Sequence, residues 1–281
     1  MTGAPPQYDA YQSSFHEAFR VELYGVLDAL PIPRGGSVLD VPCGDGFYSR
    51  RLAERLPAGA TLAAVDASQE YLDRVRATVR ADAVDVRRAD AYELPFGAAT
   101  FDLVWCAQSL ISLDPARAVR EMFRVTKPDG AVAILEVDEF HHVLLPWPAE
   151  LEAVLPAAVH AACLREYGDG IKLAPTRKLR GLLDRVGFGS VRRTTISFDR
   201  AAPFGVRTAA FLTHHFEHLR RLARPRLLPA LQKVFDRATD PGAADSLYNR
   251  PGSELVCINA IYLARPSRET SARLLSDGPP A

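Results

Sequence analysis

Val38-Leu39-Asp40-Val41-Pro42-Cys43-Gly44-Asp45-Gly46 decides the fold of this chain: an apolar run ends in an acid and a glycine-bearing turn, and a helical pattern opens at once with Phe47. Gly44 and Gly46 tolerate positive φ and let a ligand approach the backbone closely. The helix beginning near Phe47 turns its free N–H groups toward the same crevice, where a carboxylate or phosphate would be accommodated. Twenty residues beyond Gly46, at the end of the second strand, stands Asp66. In doubly wound folds an acid at that place accepts hydrogen bonds from ribose hydroxyls. Two plainer readings stand beside this one: a glycine turn that serves packing, and an Asp66 that caps the next helix. The turn is neither GxGxxG nor GxxxxGK[ST], so a pyrophosphate cradle for NAD or ATP is disfavoured.

Outward from this turn, strand-like and helix-like segments alternate. Strands are expected at 37–41, 61–65, 85–88, 101–107 and 131–137, and helices at 47–55, 69–80 and 115–125. That order predicts a parallel sheet with helices on both faces. Ahead of it, Phe15, Phe19, Leu23, Val26 and Leu27 recur at helical spacing up to Pro31 and Pro33. After Val137 the regularity breaks. Helices are expected at 149–165 and 176–186, a strand at 190–198, a long helical insertion at about 204–236 and a last strand at 254–263. The division expected is 1–36 as an N-terminal lid helix and 37–137 as the cofactor-binding core. Residues 138–265 would form substrate-binding insertions with the last two strands, and 266–281 a mobile tail.

Bulk properties exclude several classes. Net charge is +0 among 34 basic and 34 acidic residues, which gives nucleic acid and anionic membranes no electrostatic footing. Only Lys127, Lys172, Lys178 and Lys233 are lysines, a bias read as GC-rich codon usage. Cys43, Cys106, Cys163 and Cys257 are scattered without a CxxC pair, so neither zinc nor a disulfide framework is suggested. With no apolar h-region at the N-terminus and no bilayer-length run, a cytoplasmic protein is expected.

The quoted stretch resembles motif I of class I S-adenosylmethionine-dependent methyltransferases, whose pattern runs apolar-apolar-acid-apolar-Gly-x-Gly-x-Gly. Pro42 occupies the first glycine slot, where it fixes φ and removes an N–H donor. Later segments are similar to the same family in the same order. Asp66-Ala67-Ser68-Gln69-Glu70-Tyr71-Leu72 resembles the segment whose acid holds the ribose, with Tyr71 placed to stack on adenine or to be an ordinary helix-face aromatic. Asp90-Ala91 matches the loop that reads the adenine edge. Phe101-Asp102-Leu103-Val104 opens the strand leading to Gln108 and Ser109. Glu121 to Gly130 resembles the E-xx-RVLKPGG link, with Lys127 in the last helical turn and Pro128 stopping the helix. The matches span about residues 38–136. The resemblance implies a Rossmann-like α/β fold: a seven-stranded, mostly parallel sheet with helices on both faces, a helical N-terminal lid and late helical insertions. It implies S-adenosylmethionine as cofactor, held by Tyr11, Asp40, Gly44, Gly46, Asp66, Ala67, Tyr71, Asp90, Ala91 and Gln108. Within the family the chain is most similar to the small-molecule type, the ubiquinone/menaquinone-biosynthesis and natural-product methyltransferases.

Methyl transfer from a sulfonium needs nucleophile, methyl carbon and sulfur in line and water excluded; a base is needed only when the acceptor is not already nucleophilic. Tyr11 would reach the cofactor carboxylate, or simply pack on an amphipathic helix. His141 or His142, directly after the fifth strand, could be a general base or a solvated loop histidine. His214 and His215 lie with Phe204, Phe211 and His218 on one helical stripe. That stripe would line an aromatic acceptor pocket or pack on the sheet. No acid completes a ligand spacing, so no metal is expected. The function expected is methyl transfer to a small organic acceptor, an aromatic compound or secondary metabolite, by a monomer or homodimer. A cyclase that uses the sulfonium electrostatically and a non-catalytic binding protein are the alternatives.

Overall fold

A computed structural model describes residues 10–79, 84–137, 142–167 and 175–267. The order is α1 (Ala10–Ala18), α2 (Arg20–Asp28), β1 (Ser37–Asp40), α3 (Phe47–Arg55), β2 (Thr61–Asp66), α4 (Gln69–Thr78), β3 (Val84–Arg88), β4 (Phe101–Ala107), α5 (Pro115–Val125) and β5 (Thr126–Val137). There follow β6 (Val143–Leu144), α6 (Ala149–Glu152), α7 (Val154–Tyr167), α8 (Pro175–Val186), β7 (Phe188–Ala201), α9 (Val206–Leu222), α10 (Pro229–Ala238) and β8 (Glu254–Pro266). The strands hydrogen-bond in the order β3-β2-β1-β4-β5-β8-β6, with β7 also on β8. The pairs among β1 to β5 are parallel, and β6 runs antiparallel to β8. Eight strands form this sheet rather than the seven expected. Two-residue β6, joined to β8 through Val143 opposite Cys257, is too short to leave a periodicity in the sequence.

The chain folds as two compact units. The first takes its described residues from Val21–Glu136, Pro175–Thr195 and Ala260–Ala281. Its central strands are buried almost throughout: Val38 and Leu39 on β1, Leu103 to Cys106 on β4, Val132 to Leu135 on β5. Continuous burial of this kind is the mark of a parallel sheet covered on both faces. Helix α5 starts where Asp114 caps it, its carboxylate accepting from the N–H groups of Ala116 and Arg117. It ends at Val125, where Thr126 turns extended at ψ +134° and its hydroxyl donates to the Met122 carbonyl. Lys127 is therefore already on β5, not in the last helical turn as the sequence suggested, and its ammonium lies 2.7 Å from the Asp102 carboxylate.

The second unit takes its described residues from Met1–Arg20, Val137–Ala174 and Ile196–Asn259. Within it α1 packs along α9, with Phe15 edge-on to Phe211 and Phe19 against Phe198 and Phe211. The single insertion helix expected at about 204–236 is broken into α9, a 3₁₀ turn at Arg224–Arg226 and α10. Pro225 and Pro229 interrupt it, each lacking the N–H that a continuing helix needs. No described helix is long and apolar enough to cross a membrane.

Candidate functional site

Three strand tips of the first unit converge on the quoted turn. The Val41 N–H donates to the Trp105 carbonyl on β4, and the Cys43 N–H to the Val65 carbonyl on β2, both at 2.9 Å. The Val41–Pro42 bond is cis, yet both downstream glycines take the left-handed backbone, φ +52° at Gly44 and +86° at Gly46. They differ in surroundings. A Cβ at Gly46 would come within 3.0 Å of Val75 Cγ2, whereas at Gly44 it would meet no atom within 4 Å. The chain thus presents bare backbone to open space at Gly44, which is what close approach of a ligand requires.

Asp66 secures this arrangement. One carboxylate oxygen accepts from the Gly44 N–H at 3.0 Å and the other from the Ser68 N–H at 2.8 Å. Ser68, not Asp66, is the N-cap of α4. Each Asp66 oxygen keeps a second lone pair for a hydroxyl donor. Burial pushes this carboxyl above its ordinary value, the bonds from Ser68 and Gly44 opposing that shift. Asp45 is raised for the same reason while accepting from the Phe47 N–H at the start of α3. Asp40, 1% exposed, is pushed up to about 7 by burial, against the pull of the Ser49 hydroxyl that donates to it at 2.6 Å.

Other residues named from the sequence fall around the same tips. The Ala67 carbonyl accepts from Arg88, and the Ala89 N–H donates to the Asp66 carbonyl, which ties the Asp90-Ala91 loop to the end of β2. Asp90 is exposed and accepts from the Tyr92 N–H; Ala91 is buried. Glu121 and Arg124, read only as a family marker, clamp that loop. Glu121 accepts from the Leu94 N–H at 2.7 Å, and Arg124 donates to the Leu94 and Phe96 carbonyls at 3.1 and 2.9 Å. Tyr71 is half-buried on α4, with the Arg74 guanidinium 5.7 Å from its ring centroid. Gln108 leaves β4 at φ +51° and accepts from the Tyr48 hydroxyl. Sequence reasoning missed Ser49 and Trp105. Glu136, 1% exposed at the end of β5, accepts from the N–H groups of Ser109 and Leu110 and so fixes the turn after β4.

Tyr11, His214 and His215 belong to the second unit, where a different cluster forms. The Tyr11 hydroxyl lies 3.2 Å from His142 Nε2 and 3.1 Å from His215 Nδ1. Its ring stacks on His218 at 5.2 Å, tilted by 3°. Burial holds His215 well below the ordinary imidazole value, with His142 and His218 adding to the effect, so it is neutral at pH 7. His214 is half-buried, and its Nδ1 is enclosed without a hydrogen-bond partner among the described residues. His141 lies outside the described residues. A groove of about 870 Å³ in this unit runs along Arg220, Asp236, Arg237 and Asp245, and none of the residues singled out in the sequence lines it.

A family profile described as a methyltransferase domain matches residues 39–134. The 27-O-demethylrifamycin SV methyltransferase of Amycolatopsis mediterranei is 33% identical over 147 residues, 50% of this chain and 49% of that one. The chain thus spans about half the length of that relative. A demethylmenaquinone methyltransferase of Lactiplantibacillus plantarum is 31% identical over 186 residues, 61% of this chain and 78% of that one. Among solved structures, phosphoethanolamine N-methyltransferase 2 of Haemonchus contortus, in complex with phosphomonomethylethanolamine and S-adenosylhomocysteine, shares the fold. Its TM-score is 0.55 at 18% identity, over 93% of this chain and 58% of that one. Similarity that runs from the glycine turn through the fifth strand, and covers most of a bacterial relative, makes the chain a member of the S-adenosylmethionine-dependent methyltransferases.

Proposed function

We propose that this chain transfers a methyl group from S-adenosylmethionine to a small organic acceptor, an aromatic compound or secondary metabolite, by in-line displacement. The observation that carries the reading is the pairing of Asp66 with Gly44: a buried acid, both oxygens held by backbone N–H groups, beside a glycine whose α-carbon faces open space. The residues fit an adenosyl sulfonium. Asp66 would take the ribose hydroxyls, Gly44 would leave room for the ligand against the backbone, and the carboxyls of Asp40 and Asp45 would face a cationic group. The Asp90-Ala91 loop, clamped by Glu121 and Arg124, would meet the adenine, with Tyr71 on its face. When bound, the cofactor supplies an activated methyl on a sulfonium leaving group.

The acceptor class is supported by the names of the relatives, one for 27-O-demethylrifamycin SV and one for demethylmenaquinone. Labelled S-adenosylmethionine incubated with a panel of phenols, indoles and amines tests the activity. Methyl label should appear in at least one acceptor. No transfer to any acceptor class would contradict the activity.

A further inference from the structure

Asp90 opens a tight turn. The Glu93 N–H donates to the Asp90 carbonyl at 3.0 Å, and the Tyr92 N–H donates to one Asp90 carboxylate oxygen at 2.9 Å. The other oxygen accepts from no side chain or backbone group among the described residues and is open to a ligand donor. This acid stands beside the acid assigned to the ribose. One residue earlier, the Ala89 N–H donates to the Asp66 carbonyl at 3.1 Å. A nucleoside whose sugar lies on Asp66 therefore has Asp90 next to it for the base.

The two ends of the turn are held by different residues. Its Leu94–Phe96 end is held by Glu121 and Arg124. Its Asp90 end is held through Tyr92. The Tyr92 hydroxyl accepts from the Asp114 N–H at 2.6 Å, and the Arg117 guanidinium carbon lies 4.2 Å from the ring centroid, within cation–π range. Both partners belong to the start of α5, a helix fixed in the core by the fully buried Ala118, Val119 and Met122. Tyr92 thus grips the Asp90 carboxylate with its main chain and a rigid helix with its side chain.

We propose that Tyr92, anchored on α5 through Asp114 and Arg117, is a positioning residue: it aims the open oxygen of Asp90 at the exocyclic amine of adenine, and so makes the site select an aminopurine over the corresponding oxopurine. The inference rests on the cofactor reading given above. A carboxylate accepts from an amine N–H and repels a carbonyl oxygen, so the strength of the selection measures how well Asp90 is aimed.

Calorimetry with S-adenosylhomocysteine and with its deaminated analogue, S-inosylhomocysteine, reads this selection. The wild type should bind the adenine ligand at least about tenfold more tightly. Tyr92→Phe keeps a ring under Arg117 and removes only the hydroxyl. It should weaken S-adenosylhomocysteine binding about fivefold, as loss of one hydrogen bond implies, and leave S-inosylhomocysteine binding unchanged. A Tyr92 that only supported the fold would weaken both ligands alike. In an Asp90→Ala background, Tyr92→Phe should have no further effect on S-adenosylhomocysteine, because it acts through the side chain already removed. Equal losses for the two ligands, or a loss that persists without the Asp90 carboxylate, would overturn the proposal. Equal affinity of the wild type for both ligands would overturn it too, with the cofactor reading left standing. Failure of the wild type to bind either ligand would instead remove the cofactor reading, and this inference with it.

Discussion

Asp66 accepts from Gly44 and Ser68 through different oxygens and, in the proposed complex, from the ribose as well. Its removal therefore acts on both fold and affinity. Asp66→Ala should weaken S-adenosylhomocysteine binding by about 1–3 kcal/mol, read by calorimetry. An unchanged Kd would detach Asp66 from the ligand. Asp40 acts on stability with a definite sign. Its carboxyl titrates near 3.8 when unfolded and at about 7 when folded, so the native state holds the proton more tightly. That stabilisation is complete below the unfolded value and is lost as pH rises through 7. Asp40→Asn, which cannot ionise, should therefore make the free protein more stable than wild type at pH 8, by on the order of 1–4 kcal/mol in urea unfolding. The advantage should shrink toward pH 5. At this scale the acids and glycines of the turn were legible, because chemistry and chain order coincide there. Ser49 and Trp105 were not: the helix face and the strand register bring them to Asp40, and neither leaves a mark in local sequence.

The turn between β1 and α3 separates two glycines that the motif treats alike. At Gly46 a side chain meets Val75 and a φ of +86°, so Gly46→Ala should destabilise by about 1–3 kcal/mol. Gly44 has open space and a φ of +52°, inside the left-handed α region, so Gly44→Ala should cost only about 1 kcal/mol in stability. Its affinity for S-adenosylhomocysteine should nevertheless drop tenfold or more, since the methyl occupies the space assigned to the ligand. Thermal unfolding and calorimetry on the two variants check the contrast; equal affinity in Gly44→Ala and wild type would contradict it. Elements with a strong pattern were read closely: α3, α5 and β4 match the expected bounds. Weakly patterned elements were not. The expected insertion helix failed at two prolines, and the helix expected over 15–30 is two helices, α1 and α2.

At the scale of the whole molecule, the regular β-α alternation up to Val137 gave the parallel sheet, since buried strands and amphipathic helices each announce their period. The second unit is built from three stretches, one at the start of the chain and two from Val137 onward, and tertiary contacts of that kind have no period to read. The imidazoles of His142, His215 and His218 around Tyr11 belong to this part. The first unit carries the claim on which the rest depends, that the crevice at the tips of β1 and β2 receives the adenosyl sulfonium. A crystal structure with S-adenosylhomocysteine bound tests it most directly. The ribose hydroxyls should lie on the Asp66 carboxylate with the ligand against the Gly44 backbone; a ligand seated away from Asp66 and Gly44 would contradict the account.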